Sequence, residues 1–522
     1  MHQLDLIIFL AYMSVLVGIG AWFTRRETGL KEYLLAGQDV HWIVVAISVL
    51  AALFSGISYI GIPAESFFYD LTMFWAVISF LIATPIATVL FLPFFRQLGI
   101  YTAYEYLERR FDNRLRYFAA GCFILRGTCY LALAISAPGL VVSEMTGWPF
   151  AACAIGSGLA ATAYTTLGGM KAVIWTDSIQ FVVLCGGILV IIGCAAAGVP
   201  GNVLGAFDLA AADGKMRWLN ASPSPTIRVT IWGALIGGTC NNLVQLVTDQ
   251  ISVQRYLTAR SLDEAKRALW LKLGLTLPLL ATFYLAGTVL YGYYKANPDR
   301  VPTFENAKLI PGLPSGAVET APLKNDRLLP YFVMHELPSP LPGLLIAAIV
   351  GATMAVISAG INALATTALI DFSSDKERDN PNRVAWARRL TILFGLLATG
   401  LALEISRLGT MVEATNTIMG LFGGPLLGIF FLGVITEKAN GTAALAGALL
   451  GALVGMLITF SRPLFDVSLS FLWITPTSVV TTVVAGALAG RWQRPTRDVS
   501  AYVFSFGRRK LARPATEEPS SN

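Results

Sequence analysis

Apolar stretches of about twenty residues recur from one end of the chain to the other, separated mostly by short polar loops. A run of that length is what an α-helix needs to cross the hydrocarbon core of a bilayer. The pattern predicts thirteen spans, near residues 4–23, 42–62, 72–95, 118–144, 149–166, 172–197, 229–249, 269–294, 341–371, 385–404, 409–434, 441–460 and 470–490. Two polar segments stand out by length. Residues 198–228 follow span 6, and the proline-rich residues 295–340 follow span 8 and read as an irregular external loop. The predicted class is an all-α polytopic membrane protein.

Span 2 carries a second pattern. Its run AISVLAALFSGISYIGIPAE (46–65) is interrupted by Ser55, Gly56, Ser58, Gly61 and Pro63. Glycine and proline weaken helical backbone, and any backbone group they release at membrane depth needs protein, water or a solute as its partner. Span 7, IWGALIGGTCNNLVQLVTD (231–249), is interrupted in the same way by Gly237-Gly238 and Asn241-Asn242. Breaks five spans apart predict two inverted five-helix repeats, each opening with a broken helix, with a binding site where the repeats meet. The chain divides accordingly. An N-terminal helix and loop (1–40) precedes the first repeat (41–197), and a connecting external loop (198–228) leads to the second repeat (229–434, containing loop 295–340). C-terminal helices (435–490) and a cytoplasmic tail (491–522) follow.

Composition narrows the class further. Of 522 residues, 55% are hydrophobic and 13% charged, with a mean hydropathy of +0.63, where a soluble protein carries about a quarter charged residues. The net charge of +6 resides in short loops, so no nucleic-acid partner is expected. The six cysteines lie in apolar runs without a CxxC pair, and the three histidines are scattered. Neither a disulfide framework nor a metal site is indicated, and no catalytic constellation suggests an enzyme or a cofactor. The N-terminus, MHQLD, lacks the basic region of a cleavable signal. Twenty-six Lys and Arg fall on one set of loops and the tail, against five on the opposite short loops. This places the N-terminus outside and the C-terminus in the cytoplasm, as an odd number of spans requires, and the plasma (inner) membrane is the expected location.

Two ionisable residues fall inside predicted spans, where such groups are costly and mark functional sites or pathways. Asp177 lies about two turns into span 6, facing a cation or held by Thr176, Gln180 or loop amides. Arg126 lies roughly 15 Å beyond the basic cluster that ends at Arg116. Its planar fork suits a carboxylate, and snorkelling to the interface is the alternative.

The segment GGMKAVIWTDSIQ (168–180) resembles the signature of the sodium/solute symporter family. The resemblance continues in TDQISVQRYLTARSLDEAKRA (248–268), INALATTALIDF (361–372) and GLFGGPLLGIFFLG (420–433), and covers nearly the whole chain. SGISYIGIPAE and GGMKAVIWTD are most similar to the branch that carries iodide, monocarboxylates and vitamins. The resemblance implies sodium-driven solute uptake by alternating access. It also implies a cation site built from the backbone carbonyls of Ala51 and Phe54 and from span 9 hydroxyls. The hydroxyl positions hold Ala355 and Val356 here. Sodium needs oxygen ligands, so Ser358 and Asn362, on roughly the same face, would shift the site, with Asp177 as a further candidate. Tyr130, one turn beyond Arg126, matches a tyrosine near the cavity of that branch.

For the solute, Ser55, Ser58 and Tyr59 of span 2 and Asn241 and Asn242 of span 7 are expected to converge with Arg126 and Tyr130. Asn416, with Thr415 and Thr417, closes the site from span 11. Interhelical hydrogen bonding is the competing role for each. The expected function is sodium-coupled symport of a small organic solute, anionic and monocarboxylate- or vitamin-like, at a midplane site between spans 2, 4, 7, 9 and 11. The partners are the solute, Na+ as coupling ion and the lipid bilayer. Proton-coupled or uncoupled transport, including of sugar, is the alternative. A solute sensor is a further one, though no signalling domain follows residue 490.

Overall fold

The computed structural model describes residues 3–24, 39–51, 54–167, 170–301, 303–304, 307–308, 326–372, 383–405, 410–491 and 499–504. Helices occupy all thirteen predicted places. Among the described residues, nine helical stretches are long and apolar enough to cross a membrane, and ten if the bent pair in span 2 counts as one. The other three places hold the helices Gln3–Thr24 and Phe150–Leu167 and the helical stretch 231–248. The number of membrane crossings is thus not fixed at thirteen. Extended structure among the described residues is confined to a two-residue hairpin, Thr303–Phe304 with Ala307–Lys308, and one bridge between Val40 and Ala259.

Span 9, Leu341–Asp371, is the axis of the bundle. It is apolar all round and rich in Ala and Gly, and 94% of its most hydrophobic window is buried. A helix without a polar face belongs in the interior, and small side chains let neighbours approach closely. Spans 1, 4, 5, 6 and 10 pack around it.

The helix ends follow local sequence. Ser261 accepts from the Glu264 N–H at 3.1 Å and starts the long helix Leu262–Ala296 of span 8, the Ser-x-x-Glu pattern of a capping box. Asp112 does the same for span 4, accepting from Leu115 N–H at 3.1 Å. Gly147, in the left-handed conformation at φ 72°, stops span 4, a conformation glycine adopts without penalty.

Both predicted breaks are present, though one is displaced. Span 2 divides into Trp42–Ala51 and Gly56–Phe68, bent by 62°. Span 7 does not break at Gly237-Gly238. Residues 231–248 run on as one helix with π-helical turns at Gly233–Gly237 and Val244–Thr248, and the chain breaks at Asp249 before the helix Gln250–Tyr256. The glycine pair serves packing instead: a Cβ on Gly237 would strike the Leu472 carbonyl of span 13, and one on Gly238 would sit 2.8 Å from Ala76 Cα of span 3. The two short half-helices, Trp42–Ala51 and Gln250–Tyr256, are tied together. Arg255 Nε donates to Ser48 Oγ at 2.9 Å, which gives Arg255 a structural role.

Candidate solute site

A helix that starts at membrane depth leaves its first N–H groups without partners. In the second half of span 2 two of them are answered. Ser55 accepts from Ile57 N–H at 3.1 Å, and Thr353 Oγ1 of span 9 accepts from Gly56 N–H at 2.9 Å. A side chain on Gly56 would overlap Thr353 Oγ1. Glycine here lets the broken helix dock on the central one.

Beside the break lies a cavity of ≈ 120 Å³. Span 2 contributes Leu50, Phe54 and Ser58, from before, within and after its break, and span 3 contributes Phe80. Asn242 and Gln245 come from span 7, and Lys272, Thr276 and Leu280 from span 8. Its walls are therefore spans 2, 3, 7 and 8, whereas the sequence suggested 2, 4, 7, 9 and 11. Of the solute residues expected from sequence, Ser58 and Asn242 line it. Asn242 Nδ2 also donates to Ser79 Oγ at 3.0 Å and to the Ala76 carbonyl at 3.2 Å, fixing span 7 to span 3.

The other expected solute residues are placed differently. Asn241 Nδ2 donates to Asn416 Oδ1 at 2.7 Å, and its own oxygen accepts from Thr475 Oγ1 of span 13. Asn416 Nδ2 in turn donates to the Val412 carbonyl at 2.8 Å. These groups join spans 7, 11 and 13 and are spent on one another. Tyr59 is buried edge-on against Phe283, with 5.3 Å between ring centroids, and its hydroxyl has no partner among the described residues. Tyr130 is buried within side-chain reach of Ser55.

Arg126 is buried, as its depth required, and its Nη2 lies 3.0 Å from Asp249 Oδ1. The approach is too oblique for an aligned hydrogen bond, so the contact is an ion pair. Nη1 reaches the Met419 sulfur at 3.1 Å, and the Phe123 ring lies 5.3 Å from the guanidinium carbon. Asp249 also accepts from the Ile251 N–H at 3.0 Å, so one carboxylate ends span 7, caps the next helix and balances Arg126. Arg126 does not line the cavity and does not snorkel.

Near the expected cation site, Ala51, Phe54, Ala355, Ser358 and Asn362 are all buried, and Ser358 Oγ donates to the Ala355 carbonyl at 3.3 Å. Val356 is fully buried. The side chain of Asp177 lies outside the described residues.

Ion-pair networks close both ends of the bundle. At one end Arg228 is bidentate to Glu65 of span 2, at 2.6 and 2.8 Å, and reaches Glu413 of span 11 at 2.7 Å. At the other, Arg116 Nε meets Asp371 Oδ1 of span 9 at 2.8 Å, and Thr102 Oγ1 donates to the same oxygen at 2.7 Å. Sequence reading used Arg228 and Arg116 only as loop charges. It passed over Asp249 and Lys272 altogether, although the rule that flagged Arg126 applies equally to a lysine inside the apolar run of span 8.

The sodium:solute symporter family matches residues 33–451. The sodium-coupled monocarboxylate transporter 2 of Mus musculus is 31% identical over 505 residues, covering 93% of this chain and 78% of that protein. The sodium-dependent multivitamin transporter of Oryctolagus cuniculus is 30% identical over 492 residues, covering 92% and 72%. Among solved structures, the substrate-bound outward-open state of a Na+-coupled sialic acid symporter superposes with a TM-score of 0.82 at 27% identity, covering 95% of this chain and 98% of that one. A nucleobase-cation-symport-1 family transporter shares the fold at a TM-score of 0.52 and 14% identity. With two broken spans, a cavity beside the break of span 2 and a family match over most of its length, the chain belongs to the sodium:solute symporter family and is a membrane transporter, not an enzyme.

Proposed function

We propose that the protein couples the inward sodium gradient to uptake of a small organic anion, with the solute held in the cavity between spans 2, 3, 7 and 8. The observation that carries this reading is that cavity: it abuts the break of span 2 and combines an apolar floor with a buried amine. The relatives named for monocarboxylates and a multivitamin support the anionic class. Sodium would be held by the Ala51 and Phe54 carbonyls with Ser358 and Asn362. Asp177, about two turns into span 6, would act on the coupling ion. Arg126, Tyr130, Ser55 and Tyr59 would shape the wall behind the solute, and Asn241 with Asn416 would set the closing of span 11. The charge pattern supports an N-terminus outside; the location would be the plasma membrane, with the two repeats of residues 41–197 and 229–434 as the moving parts.

A second reading, uptake driven by protons or by the solute gradient alone, is favoured by one observation. Ala355 and Val356 offer no side-chain oxygen where the family resemblance implies hydroxyls. Purified protein in proteoliposomes separates the two. Uptake of labelled short monocarboxylates that rises with an inward sodium gradient and ignores a proton gradient supports sodium coupling. The reverse response overturns it.

A further inference from the structure

Five cationic side chains are buried among the described residues: Arg110, Arg116, Arg126, Arg255 and Lys272. Four have evident partners. Arg126 faces Asp249, Arg116 faces Asp371 and Glu108, Arg110 donates to the Gly433 and Ala439 carbonyls, and Arg255 donates to Ser48. Lys272 is the exception. It sits ten residues into the helix Leu262–Ala296, roughly 15 Å along its axis, and is 1% exposed. Among the described residues its Nζ has no hydrogen-bond partner and no carboxylate lies within ion-pairing distance. What it does have is the Phe80 ring, with Nζ 3.7 Å from the centroid.

An unpaired ammonium buried inside a helix bundle is kept against a large desolvation cost. Cation–π contact with Phe80 offsets part of that cost while leaving N–H donors unspent, since an ammonium carries three. Lys272 and Phe80 both line the cavity beside the break of span 2, together with Ser58 and Thr276. The charge therefore belongs to a place where a solute can enter, not to a packed helix interface.

We propose that the Lys272 ammonium is the anion anchor of the solute site, holding the carboxylate of a short monocarboxylic acid against Phe80. The proposal rests on the reading of this cavity as the solute site. Ser58 and the Asn242 carboxamide also line the cavity, and Leu50, Phe54 and Leu280 take the alkyl part. One water needs about 10–15 Å³ on this scale, so a cavity of ≈ 120 Å³ has room for a small organic acid.

The test uses the full-length protein in proteoliposomes, with labelled propionate and lactate and their uncharged amides as probes. Wild type is expected to prefer each acid over its amide by tenfold or more, with bromide or iodide competing weakly. Lys272→Met should fold with an undiminished thermal midpoint, because the cation–π contact it loses is offset by the desolvation cost it no longer carries, and should reduce the acid-over-amide preference at least tenfold through KM. Lys272→Arg, which keeps the charge, should retain the preference for the acid. An unchanged preference in Lys272→Met overturns the anchor, as does failure of that variant to fold, because the amine would then be paired within the protein. Iodide displacing the acids completely would make this an inorganic-anion site and overturn the carboxylate assignment. If wild type takes up no organic anion at all, it is the functional reading that fails.

Discussion

Arg126 of span 4 and Asp249 at the break of span 7 face each other at 3.0 Å, both almost fully buried, and so join these two spans inside the bundle. Each charge is tolerated there because of the other. Removing one partner of a buried pair strands the second charge, at a cost of about 3–5 kcal/mol. Asp249→Asn should therefore lower the thermal midpoint in detergent sharply, and Arg126→Met in the same chain should recover most of the loss. Heating followed by fluorescence-detected chromatography reads both; equal melting of Asp249→Asn and wild type would contradict the pairing.

The contact between Gly56 and Thr353 makes a separate claim. The Gly56 N–H has the Thr353 hydroxyl as its acceptor at 2.9 Å. Thr353→Val keeps the shape and removes the acceptor, leaving a buried N–H unsatisfied at about 1–3 kcal/mol, whereas Thr353→Ser should be close to wild type. Gly56→Ala should abolish uptake, because its methyl would occupy the space of that hydroxyl.

In the proposed sodium site, Ala355 and Val356 are the weak positions. Both are buried on span 9, and neither offers an oxygen to a cation that demands oxygen ligands. Ala355→Ser with Val356→Ser should lower the sodium concentration for half-maximal uptake roughly tenfold, equivalent to about 1.4 kcal/mol. Sodium-titrated uptake measures it. No change, or a rise, would place the ion elsewhere.

A pH effect follows from Asp326, in the loop ahead of the helix Leu328–Glu336. Its Oδ2 accepts from Met411 N–H at the start of span 11 at 3.1 Å. Burial pushes this carboxyl up to about 7; nearby Glu65 and Glu413 add to the rise, and the Met411 N–H opposes it. A free carboxyl titrates near pH 4, so between roughly pH 4 and 7 the folded state holds the extra proton. The stabilisation is complete below the lower value and lost as pH rises through the upper one. The wild-type melting temperature should fall between pH 5 and 8 relative to that of Asp326→Asn, and parallel curves would contradict it.

Much of the architecture can be read along the chain. Helix positions follow apolar runs, and the break of span 2 follows Ser55, Gly56 and Pro63 acting on their own backbone. Span 7 shows where such reading stops. Its Gly237-Gly238 pair has the same local signature as a break, but Leu472 and Ala76 press against it and make it a packing surface. The interruption falls instead at Asp249, which no apolar pattern marks. The candidate site divides in the same way. Ser58 and Asn242 were predicted and line the cavity, but Asn241 and Asn416, chemically indistinguishable from Asn242 in sequence, hydrogen-bond each other.

The sequence by itself determined that this is a bundle of membrane helices with two broken ones and the motifs of the sodium:solute symporters, because apolarity, helix breaking and signature residues are properties of contiguous segments. Tertiary structure alone decided which buried polar groups are already satisfied. Arg126 and Lys272 look alike along the chain, each a lone cation in an apolar helix. Among the described residues, folding brings Asp249 to the first and the face of Phe80, without a hydrogen-bond partner, to the second. In a medium without water to supply the missing partner, that difference makes one of them structural and leaves the other for a ligand.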